Sequence, residues 1–77
     1  MDEDRLKAIV AKVDDAIVRV GDPEAGGFRV GNAGKEFFVT KEEVVNRIAK
    51  SKRPPDMSLN DIGRFVCEIV LEKRRNT

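Results

Sequence analysis

The chain has 77 residues, enough for one small domain and too few for two, and it carries 15 basic and 14 acidic residues for a formal net charge of +1. With no histidine, tyrosine or tryptophan and a single cysteine, it excludes an intrachain disulfide and a Cys/His zinc cluster, and it lacks the commonest acid-base and nucleophilic groups. A domain this short buries only about 60% of the surface its unfolded chain exposes, so association with another copy or another protein is the expected compensation.

No apolar run approaches the roughly 18 residues of a membrane span, and the opening Met1-Asp2-Glu3-Asp4 is opposite in charge to a secretory signal. The lone Cys67, set among apolar residues and expected to be buried, suits a reducing compartment, and the chain is expected to be intracellular, cytoplasmic or nuclear. Charge is uneven along it. Residues 1–26 hold seven acids against four bases, whereas residues 27–77 hold eleven bases against seven acids. That asymmetry permits a nucleic-acid partner but falls short of a strong basic footprint.

From Asp2 to Val20, apolar residues at Leu6, Ile9, Val10, Val13, Ala16, Ile17 and Val20 predict an amphipathic helix with acids in its first turn. The Leu6, Ile9, Val13, Ala16, Val20 series keeps a 3-4 spacing over about two heptads, enough to pack on a symmetry mate but too short for a coiled coil. Gly21 and Asp22-Pro23 stop it.

Alternation from Phe28 to Val30, a Gly31-Asn32-Ala33-Gly34 turn and a second run from Glu36 to Val39 predict a hairpin over 28–39. Phe28, Phe37 and Phe38, three of the four aromatics, are expected to plug the space between helices. The turn has the G-x-x-G spacing of a nucleic-acid-clamping loop, but such a loop joins two helices of one unit and nothing before Gly31 reads as the first of them. It also fails the phosphate-loop pattern, since Arg29 stands where glycine is required and Glu36 follows Lys35.

Thr40 and Glu43 form a T-x-x-E capping box opening a helix over 41–51, with Val44, Val45 and Ile48 inward. The two prolines Pro54 and Pro55 end it, and Ser58 with Asp61 opens a third helix over 59–75. Leu59, Ile62, Phe65, Val66, Ile69 and Val70 make its apolar stripe; Cys67 and Leu71 widen it, and Gly63 suggests a close backbone approach.

The expected fold is α+β, mainly α, in the order α-β-β-α-α. The expected function is a non-catalytic protein-interaction or oligomerisation domain of a larger intracellular regulatory protein, homodimerising through Val13, Ile17, Phe65, Ile69 and Leu71. No cofactor, metal or small-molecule substrate is expected. Acid pairs such as Asp14-Asp15 and Glu42-Glu43 diverge by about 100° on a helix and do not converge on a substrate.

The alternative is a small DNA- or RNA-binding module. Its helix-turn-helix-like pair would be 41–51 and 59–75, with contacts from Lys50, Lys52, Arg53, Arg64, Lys73, Arg74 and Arg75. Against it stand Asp61 and Glu68, which would lie near phosphates.

Overall fold

The computed structural model describes residues 3–32, 34–51 and 58–76. The elements are α1 (Glu3–Val20), β1 (Gly27–Asn32), β2 (Lys35–Thr40), α2 (Lys41–Ser51) and α3 (Leu59–Arg75), so the expected α-β-β-α-α order holds.

Helix α1 ends as its sequence requires. The Gly21 amide still donates to the Ile17 carbonyl, and the chain then turns through Asp22, whose carbonyl accepts from the Gly26 amide at 2.9 Å. The Asp22 carboxylate accepts from the Ala25 amide at 3.2 Å and from Arg29 Nε at 2.7 Å, tying the turn to the first strand.

The strands pair antiparallel from Gly27↔Thr40 to Asn32↔Lys35, with Gly34 at φ +80° in the tight connection. Alternation turns Phe28, Phe37 and Val39 into the core and leaves Arg29 opposite Phe38 on the outer face. Two of the three hairpin phenylalanines therefore fill the interior as expected. Phe38 does not: it stays 37% exposed on the outer face, with its ring over Gly27. A Cβ at Gly27 would stand 2.2 Å from the Val39 carbonyl oxygen, so only glycine fits.

Strand β2 passes into α2 with no residue between them. Thr40 Oγ1 accepts from the Glu43 amide at 3.2 Å and Glu43 reaches back to the Thr40 amide, completing the capping box. The Lys41 amide donates to the Gly26 carbonyl, so the turn before the hairpin satisfies another helix-end donor. Ser58 and Asp61 cap α3 in the same reciprocal way.

One core joins all five elements. Ile9, Val13 and Ala16 from α1, Val39 from β2, Val44 and Ile48 from α2, and Ile62 and Val70 from α3 lie at or near zero exposure. No polar or charged residue is buried among the described residues. None of the described helices is long and apolar enough to cross a membrane.

Candidate interaction surfaces

Helix α1 runs antiparallel to α2. Arg5 near the start of α1 donates to the Ala49 carbonyl near the end of α2 at 3.3 Å, and Asp14 pairs with Lys41 at 2.7 Å. Between these two ties lies a shallow apolar groove of about 310 Å³ lined by Leu6, Val10 and Val45.

Helices α2 and α3 are also antiparallel. Glu43 in the first turn of α2 pairs with Lys73 in the last turns of α3 at 2.9 Å, and Arg47 pairs with Glu72. Toward the other end the two helices border a groove of about 600 Å³, floored by Phe65, with Arg47, Lys50 and Arg64 facing Asp61 and Glu68.

The side chains expected to form a partner surface divide sharply. Val13, Ile17, Phe65 and Ile69 are at most 7% exposed and belong to the chain's own core. The stripes of α1 and α3 face the hairpin, α2 and each other, and this intrachain packing uses them up. Leu71 alone of the five is offered to solvent, at 49% exposure. The α1 heptad-like series splits likewise, with Ile9, Val13 and Ala16 buried and Leu6 and Val20 exposed at its ends.

Two expectations for α3 are corrected. Cys67 is exposed, not buried, because it stands with Leu71 outside the stripe of Ile62, Phe65, Val66, Ile69 and Val70 that meets the core. Gly63 marks no close approach: a Cβ there would meet nothing within 4 Å.

Of the cations nominated for nucleic acid, Lys52 and Arg53 lie outside the described residues. Lys73 is engaged by Glu43, while Lys50, Arg64, Arg74 and Arg75 are exposed. The described cations of the two clusters sit at different levels of the helix pair: Lys50 lines the groove with Arg64 and Glu68, whereas Lys73 lies beside Glu43 at the start of α2. Arg47 foremost, then Arg75 and Lys50, hold Glu72 below its ordinary range, so part of the positive field is spent within the chain.

The pairing of α2 with α3 differs from the helix-turn-helix expectation. Such a pair crosses at about 90–120° and touches mainly near its turn. Here the ion pairs tie the first turns of α2 to the last turns of α3, as in an αα-hairpin lying along its own length. The G-x-x-G segment joins two strands and not two helices, so it lacks the frame of a nucleic-acid clamp.

The electrostatics of the remaining sites is structural. Arg29 first, with the Ala25 amide, holds the Asp22 carboxyl low, and Asp22 and Glu36 raise Arg29 in return. Burial pushes Glu43 up, but its bonds with Lys73 and Thr40 outweigh this and leave it below its ordinary value. Comparison of the chain with protein-family models, curated proteins and solved structures finds no significant match.

Proposed function

We propose that this domain is a non-catalytic protein-interaction module that self-associates, as part of a larger intracellular regulatory protein. The observation that carries the reading is Leu71, half exposed on the side of α3 turned away from the core, beside the exposed Cys67. A branched aliphatic side chain in that position loses water contact only against a second molecule. The exposed free thiol suits a reducing compartment, which supports an intracellular setting.

The test is light scattering coupled to size exclusion at several concentrations and two salt levels, with refractive-index detection because tryptophan and tyrosine are absent. A concentration-dependent dimer that persists at high salt supports the reading; a monomer at the highest soluble concentration overturns it.

A second reading, nucleic-acid binding, draws support from the exposed cations Lys50, Arg64, Arg74 and Arg75. The interspersed Asp61, Glu68 and Glu72 weigh against it, because a polyanion offers them no counter-charge. Its test is titration of labelled duplex and single-stranded oligonucleotides across salt, where affinity falling steeply with ionic strength and lost in Lys50→Glu favours it.

A further inference from the structure

Resting on the self-association reading, we infer that the interface is α3 packed antiparallel against α3 of a second copy, about a two-fold axis near Cys67. Gly63, Cys67 and Leu71 recur every four residues, which places them in one row along the helix, and all three are exposed. Ile62, Phe65, Val66, Ile69 and Val70 turn one side of α3 into the core; the row runs from Gly63 at the flank of that side to Leu71 opposite it.

The row is complementary to its own reverse. Gly63 and Leu71 are equidistant from Cys67, so a two-fold axis at that residue seats Leu71 of each copy on Gly63 of the other. Gly63 is exposed and carries no side chain to hinder a neighbour's approach, and Leu71 is a half-exposed projection. The small residue leaves room for the projecting one, and the two-fold repeats this contact.

Charge selects the same arrangement. Arg64 and Glu68 are exposed between the row and the α2 groove; neither makes a close ion pair with a described residue, although Glu68 also acts on Arg47 across that groove. Their midpoint falls one residue from Cys67, so Arg64 of one copy and Glu68 of the other are offset by two residues, about 3 Å along the helix, within reach of two long side chains. Antiparallel packing therefore sets Arg64 of each copy against Glu68 of the other. Parallel packing would set Arg64 against Arg64 and Glu68 against Glu68. Antiparallel helices also oppose their macrodipoles, and the arrangement carries Arg75 of one copy toward Asp61 in the first turn of the other.

The size of the contact fixes its strength. Helix α3 has 17 residues and is therefore about 25 Å long. A contact along one such helix lies at or below the roughly 1,200 Å² where stable interfaces begin, so the dimer is weak and dissociates on dilution.

The experiment uses the whole chain and its single cysteine. A short-span bismaleimide is expected to yield a Cys67-linked dimer at concentrations where light scattering shows association, and to lose it on dilution or in urea. Leu71→Glu is expected to weaken dimerisation on the order of tenfold. Arg64→Glu is expected to weaken it several-fold, with recovery in the double variant Arg64→Glu, Glu68→Arg, which exchanges the charges and leaves the pattern intact. Circular dichroism of each variant separates loss of association from loss of fold. A dimer by scattering that neither cross-links through Cys67 nor responds to Leu71→Glu overturns the α3 interface and leaves self-association standing. A chain monomeric throughout overturns both.

Discussion

Gly27 is held by its neighbours more than by its own backbone. A methyl group there would press on the Val39 carbonyl and come within 2.8 Å of Phe38 Cζ, and a strand carbonyl has little room to retreat. Gly27→Ala is expected to cost about 1–3 kcal/mol, measured by urea unfolding, because it overpacks a closed site. Ile48, fully buried on α2, makes the opposite test: Ile48→Ala leaves a cavity and is expected to cost about 2–5 kcal/mol by the same measurement. At this scale the sequence is least legible. Periodicity places Leu71 and Cys67 on a helix flank, but whether a flank is covered depends on what lies beside it, and no described element covers this one. Gly63 and Gly27 show the same limit from two sides, since an open glycine and a crowded glycine are spelled alike.

The helices were readable almost to the residue, because their ends are written in local chemistry. Thr40 with Glu43 and Ser58 with Asp61 act across three residues, so no tertiary knowledge is needed to find them. What could not be read is that Glu43 also grips Lys73, thirty residues on, joining an α2 N-terminus to an α3 C-terminus. Each charge complements the dipole of its own helix as well as its partner. Glu43 therefore titrates below its ordinary value of 4.5 when folded, and Glu72 and Asp22 shift in the same direction. A depressed folded value means that the stabilisation is full above the unfolded pKa and is lost as pH falls through the folded one. Urea midpoints are expected to stay level down to about pH 5 and then decline, more gently in Glu43→Gln, whose partner bonds no longer titrate.

For the molecule as a whole, element order and core membership were legible because both follow from hydrophobic period. The interface was not. The apolar stripes of α1 and α3 looked like surplus for a partner, but hairpin and helices together enclose them, leaving Leu71 as the nominated residue still in solvent. The charge asymmetry was likewise visible in sequence and altered in three dimensions, where Asp14 of the acidic half meets Lys41 of the basic half.

The seamless passage from β2 to α2 at Thr40 and Lys41 makes the hairpin and the second helix one mechanical part. It works as a phase lock between a two-residue rhythm and a helical one, with the Gly26 carbonyl and the Glu43 carboxylate as its pins. One residue inserted at that junction turns α2 by about 100°, swinging Val44 and Ile48 away from the core and parting Glu43 from Lys73 in the same stroke. A glycine inserted among the exposed residues Pro23 to Ala25 lengthens the turn and disturbs its Asp22 bonds to Ala25 and Gly26, but leaves the apolar positions of hairpin and helices in phase. Thermal melts of the two insertion variants are expected to differ widely, the first unfolded near room temperature and the second melting below the parent but still cooperatively. The chain can thus absorb changes of length before the hairpin but not at the point where strand becomes helix.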